Sequence, residues 1–158
     1  MAAAARVTPA VSVDRLKATA RDLVSLVGGA DAGRLRRSPG RGEWSAATVV
    51  AHLADAELVY AFRLRAIVAE DKPLLAAFEE AAWAERFAAL ETDTRQSLAR
   101  WRAVREATIR LLESLAPAEW DRTGMHQARG VMSVAHVARL LVDHDATHLD
   151  QIRAALAG

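Results

Sequence analysis

Apolar side chains recur every three to four residues through four long stretches of this chain, and no stretch alternates apolar and polar residues for long. A 3.6-residue period lines those side chains along one stripe of a helix, so each stretch needs partners to bury against. The first stretch starts at Ser12, a good N-cap, and runs to about Val27, where Gly28 and Gly29 stop it. Val13, Leu16, Ala20, Leu23 and Val27 share its buried face. Ser45 caps the second, about Ala46 to Glu70, which Asp71-Lys72-Pro73 cannot continue. The third runs from about Thr94 to Leu115, buries Trp101, Val104, Thr108, Leu111, Leu112 and Leu115, and ends before Pro117. Ser133 caps the fourth, which runs nearly to the C-terminus. Four such helices predict an all-α four-helix bundle: a single domain over residues 12–158 behind a flexible N-terminus, residues 1–11.

The connections differ in kind. Residues 28–44 read as a loop carrying Arg34, Arg36, Arg37 and Arg41 beside Pro39. The stretch from Leu74 to Glu91 is too long for a tight hairpin, so it predicts a crossover over the bundle, with a short extra helix around Glu80 to Leu90. Ala118-Glu119-Trp120 reads as a single turn, and Asp121 to Met132 as a loop holding Gly124, His126 and Gly130.

Composition narrows the function. The chain has 158 residues, with 21 Lys and Arg against 20 Asp and Glu, so bulk charge gives it no hold on nucleic acid or an anionic membrane. It has no cysteine, which excludes disulfides, zinc–thiolate sites and a cysteine nucleophile, and which fits a reducing cytoplasm. No apolar run approaches the roughly 18 residues a membrane span needs. Met1 to Val13, with one Arg and an Ala-rich stretch broken by Pro9, makes a poor signal peptide.

The histidines carry the chemistry. At about 100° per residue, Val134, Val137, Leu140, Leu141, His148, Gln151, Ile152 and Ala155 fall within one sector around His144, which places His144 and His148 in the middle of the apolar stripe. Four residues apart, the two imidazoles stand one turn above the other and can share a ligand. His52 shares its face with Ala56, Val59 and Arg63 on the second helix, so a third imidazole points inward. Buried imidazoles without partners are costly, about 1–3 kcal/mol for each unsatisfied group. Three of them from facing helices either find carboxylates and carbonyls or bind a divalent ion with coordination positions left open. His136 lies about 80° away and two turns along the axis, too far to join them, and reads as a surface or interface residue. His126 falls in a loop, where a packing or hydrogen-bonding role is the expectation.

Three segments, Gly42-Glu43-Trp44-Ser45, His52-Leu53-Ala54-Asp55-Ala56-Glu57 and His144-Asp145-Ala146-Thr147-His148-Leu149-Asp150-Gln151-Ile152, stand in an order and spacing that resemble the DinB-like superfamily. That superfamily includes the YfiT-like proteins and the bacillithiol- and mycothiol-dependent transferases. Ala82-Trp83-Ala84 and Gly124-Met125-His126 fit it more weakly, and the likeness covers about Val13 to Leu156. It implies an up-down-down-up four-helix bundle, a divalent ion (zinc, nickel, iron or manganese) held by His52, His144 and His148, and frequent homodimers. Asp55, Asp145 and Asp150 are candidates to accept a hydrogen bond from a ligand imidazole. Gln151 faces the interior near the metal end, and Arg63 with the Arg34–Arg41 loop is placed to meet an anionic thiol or substrate.

A three-histidine ion with open positions activates either a thiol or a water. Thiol activation gives an S-transferase acting on small electrophiles, with a low-molecular-weight thiol as cosubstrate because the chain has no cysteine of its own. Water activation gives a hydrolase. The resemblance favours transfer, and no Glu stands firmly beside the ligands to serve hydrolysis, Glu57 being rotated about 140° from His52. A metal-binding, stress-response protein without turnover is the third expectation. A serine hydrolase is disfavoured because no Gly-x-Ser-x-Gly elbow occurs.

Overall fold

The computed structural model describes residues 9–87 and 93–158. Residues 1–8 of the expected flexible N-terminus, and residues 88–90 of the expected crossover helix, lie outside that range. Four long helices dominate: α1 (Pro9–Gly28), α3 (Ala46–Ala69), α5 (Thr94–Ser114) and α6 (Val134–Ala157). α1 starts one turn earlier than Ser12, at a proline that the first helical turn tolerates because its missing N–H has no acceptor there. Ser45 and Ser133 cap α3 and α6 as expected, their hydroxyls accepting from the backbone N–H of Thr48 and His136. Two short helices lie in the connections, α2 (Ala32–Arg36) and α4 (Glu80–Phe87), and a 3₁₀ turn spans Pro117–Asp121.

The helix directions follow from what each end packs with. One apolar cluster joins Val13 and Leu16 of α1 to Leu64 and Ile67 of α3, Leu112 of α5 and Leu141 of α6. A second joins Leu23 and Val27 to Val49 and Leu53, to Trp101, and to Leu149 and Ile152. Thus α1 and α6 run one way while α3 and α5 run the other, an up-down-down-up path. Because α3 and α5 are parallel, the chain must travel the length of the bundle between them, which is the physical reason for the long crossover. Between the two apolar clusters lies a layer of buried polar side chains, among them His52, Glu57, Arg105, Thr108 and Asp145.

The stretch expected to be a loop from Asp121 to Met132 is a β-hairpin, β2 (Thr123–His126) with β3 (Gly130–Ser133), and β1 (Leu74–Leu75) of the crossover pairs parallel to β2. Strands of two to four residues are too short to show a period of two. Gly130 turns the hairpin at φ +73°, and Gly124 lets β2 pass close to the bundle, since a Cβ there would stand 3.0 Å from the Pro73 carbonyl oxygen and 3.1 Å from Ile67 Cγ1.

Candidate metal centre

His52 comes from the first half of α3, and His144 and His148 from successive turns of α6. Because the two helices are antiparallel and packed together, the three Nε2 atoms meet: 3.1 Å from His52 to His144 and 3.1 Å from His52 to His148. All three offer a ligand atom within 4.8 Å of one another. Three nitrogens placed tetrahedrally at 2.0–2.1 Å from an ion stand about 3.3 Å apart, so the separations suit one ion.

The protonation states suit it as well. Burial, reinforced by the neighbouring His148, lowers His52 to about 4. Burial, then His148, His52 and Arg105, lowers His144 to about 3. Both are neutral at pH 7. His148 turns its Nδ1 to Gln151 Oε1 at 2.9 Å, which makes Nδ1 the protonated nitrogen and leaves the Nε2 lone pair free. His144 Nδ1 is buried without a hydrogen-bond partner among the described residues. With His52 and His144 neutral, the converging Nε2 atoms have fewer protons than acceptors at their centre. A cation resolves that shortage.

The stripe of α6 is rotated from its expected position. Its most buried line passes through Leu141, Asp145 and Ile152, while His144 and His148 lie on the flank, half-buried. Asp145 takes the central position because it is paired, and the shift leaves the trio accessible from one side.

The expected hydrogen bonds from ligand imidazoles to Asp55 and Asp145 do not form. Asp55 instead receives Arg100 Nη2 of α5 at 3.2 Å. Asp145 accepts two hydrogen bonds from Arg105, at 2.6 Å and 3.1 Å. The same guanidinium bonds Glu57 Oε2 through Nε and Nη2 at 3.1 Å and 2.6 Å, Thr108 donates to Glu57 Oε1 at 2.9 Å, and the guanidinium lies 4.5 Å from the Trp101 ring centre. Burial raises Asp145 to about 6 against the pull of Arg105, so it stays ionised at pH 7. Asp150 lies on the surface with Arg153. Glu57, as expected, points away from the trio.

A carboxylate does stand beside the trio, one that sequence reasoning missed. Glu80, the first residue of α4, places Oε2 3.8 Å from His52 Nε2 and 4.0 Å from His144 Nε2, with its side chain 46% exposed. No periodicity marks it, because only the crossover's path brings it there. Arg63 is buried and turned toward the crossover: its Nη2 donates to the Ala76 carbonyl at 2.6 Å. Of the basic loop, Arg34 donates to the Leu156 carbonyl and Arg36 to that of Ala32. His126 is buried in β2, its Nδ1 accepting from the Ala128 N–H, and His136 is half-buried in the first turn of α6.

Two cavities flank the trio. One of about 610 Å³ is walled by Pro39, Trp44, Ala154 and Ala155 and reaches His148, Gln151 and Glu43. The other, about 240 Å³, reaches His52 and Asp55 between Arg36, Thr48, Ala84 and Phe87. The Trp44 ring, in the wall of the larger cavity, stands 5.2 Å from that of His52.

The chain belongs to the DinB superfamily, which matches residues 15–152. Among its relatives is a presumed metal-dependent hydrolase of Geobacillus kaustophilus, 32% identical over 139 residues, 83% of this chain and 74% of that one. Another, from Oceanobacillus iheyensis, is 28% identical over 120 residues, 73% of this chain and 66% of its own length. The match thus spans just under two thirds of that relative. The structure of YfiT from Bacillus subtilis, described as a probable metal-dependent hydrolase with an unusual four-helix bundle topology, superposes with a TM-score of 0.85 at 21% identity, over 98% of this chain and 89% of that one. The four-helix bundle protein TT2238 superposes at 0.69 with 22% identity, over 93% and 99%. Among the described residues, no helix is long and apolar enough to cross a membrane.

Proposed function

We propose that this chain is a metal-dependent hydrolase of small esters or amides, with His52, His144 and His148 holding a divalent ion. The observation that carries this reading is Glu80 Oε2 at 3.8–4.0 Å from two of the three Nε2 atoms, which supplies the base that hydrolysis needs. A bound ion supplies a Lewis acid that polarises the scissile carbonyl and acidifies an attacking water. Glu80 Oε2 takes the proton from that water and then returns it to the leaving group. Gln151 Oε1 holds the His148 Nδ1 proton and so keeps Nε2 available. The half-exposed flank of the trio admits a small substrate while the helices behind it exclude water. The names given to the curated relatives support the same reading.

The S-transferase reading retains one observation of its own. The two cavities that reach the trio, one at His148 and one at His52, give room for a thiol and an electrophile together. Protein loaded separately with zinc, nickel, iron or manganese, assayed on p-nitrophenyl acetate and on monochlorobimane with a low-molecular-weight thiol, separates the two. The hydrolase reading expects thiol-independent release of p-nitrophenol, reduced 10²- to 10⁴-fold in Glu80→Gln, as removal of a general base typically does. Turnover that requires and consumes thiol would establish the transferase instead.

A further inference from the structure

Glu80 lies on the crossover, yet it is held over histidines that belong to α3 and α6. The crossover is fastened at three places just ahead of it. Arg63 Nη2 donates to the Ala76 carbonyl at 2.6 Å, and its guanidinium lies 5.9 Å from the Phe78 ring centre. The Ala77 N–H donates to the Gln127 side-chain oxygen at 2.9 Å. β1 is stitched to the hairpin, with the Met125 N–H on the Pro73 carbonyl at 2.8 Å and the Gln127 N–H on the Leu75 carbonyl at 3.1 Å. Arg63 is 7% exposed, and among the described residues no carboxylate lies within ion-pairing distance of it. Keeping a guanidinium buried on a carbonyl and two aromatic faces, those of Tyr60 and Phe78, is costly unless the contact is needed.

We propose that Arg63 and Gln127 form a clasp that positions Glu80. Together with the hairpin they fix residues 76–78, and the two residues from there to Glu80 set where its carboxylate comes to rest. The hairpin, which leads into α6, thereby also acts on the site through the crossover. Arg63 is a positioning residue in this scheme and touches no substrate. The clasp rests on the hydrolase reading only for its catalytic consequence; its structural part stands alone.

The test uses the full chain and three variants: Arg63→Met, which keeps the aliphatic stem but removes the donor, Arg63→Lys, which keeps a donor, and Gln127→Ala, which removes the acceptor at an exposed position. Amide hydrogen exchange is followed in peptides covering residues 76–83. Arg63→Met and Gln127→Ala should each speed exchange there about tenfold, Arg63→Lys much less, and α6 should not change. Zinc affinity, read by chelator competition, should stay within about threefold. The rate on p-nitrophenyl acetate should fall about tenfold in Arg63→Met, recover in Arg63→Lys, and fall no further when Arg63→Met is added to Glu80→Gln. Unchanged exchange at 76–83, or a loss of zinc affinity as large as the loss of rate, would overturn the clasp. Full activity of Glu80→Gln would overturn the hydrolase reading instead, while the exchange result would still decide the clasp.

Discussion

Two polar clusters share the middle layer of this bundle, and they solve the problem of burial in opposite ways. Behind the trio, the Arg105 guanidinium is bonded by Glu57 and Asp145, and Glu57 is bonded again by Thr108. The donors and acceptors of Arg105, Glu57, Asp145 and Thr108 are matched, so these four side chains tie α3, α5 and α6 together; of their neighbours, Trp101 Nε1 is buried without a partner among the described residues. At the trio the matching is deliberately incomplete: three Nε2 atoms converge, and His144 Nδ1 is buried without a partner among the described residues. A saturated network is structural, whereas convergent lone pairs are an invitation to a cation.

The sharpest way to break that contrast is to unbalance the saturated cluster. Arg105→Met strands two buried carboxylates and should cost about 3–5 kcal/mol in urea unfolding. If that variant does not fold, Thr108→Val, which removes one hydrogen bond, should cost about 1 kcal/mol. A loss below 0.5 kcal/mol in Arg105→Met would show that the network does not brace the helices.

Acid should separate the clusters next. In the metal-free protein His52 and His144 sit near 4 and 3 when folded, below their ordinary value of 6.5. The unfolded chain therefore binds more protons between those limits, and stability should fall as pH drops from about 6.5 toward 3–4. Asp145, raised to about 6, works the other way, because the folded state takes up its proton first. Two histidines against one aspartate leave a net loss on the order of 5 kcal/mol. His144→Asn should flatten the slope of urea midpoint against pH, and an unchanged slope would contradict the neutral buried imidazole.

A gentler probe is Gln151→Leu. Removing the acceptor for His148 Nδ1–H frees the imidazole to reorient, and zinc affinity should drop about 10- to 100-fold with little change in melting temperature. The smallest effect belongs to Asp150→Ala, whose surface pair with Arg153 is worth no more than about 0.5 kcal/mol and whose loss should leave zinc affinity untouched.

The same two clusters show what the sequence could and could not tell. His52, His144 and His148 were legible because helical spacing alone puts them on inward faces, and Ser45 and Ser133 mark the starts of their helices. Arg105 carries no such signal, because a lone arginine reads as solvated, although it stands four residues after Trp101 and three before Thr108, on the buried face of α5. Asp145, beside His144 in sequence, reads as an imidazole partner, whereas its own burial turns the stripe and pushes the histidines to its edge. Glu80 and the hairpin were illegible for a different reason. Their placement depends on the route of the crossover, forced by the parallel pair α3 and α5, and on strands too short to carry a period.

The central claim is tested most directly by the metal content of untagged protein purified without chelating resin, measured by elemental mass spectrometry. The account predicts about one equivalent of a divalent ion per chain, lost sharply in His148→Ala and retained in His136→Ala. No metal, with no uptake on adding zinc, nickel, iron or manganese, would contradict it, as would equal loss from both substitutions.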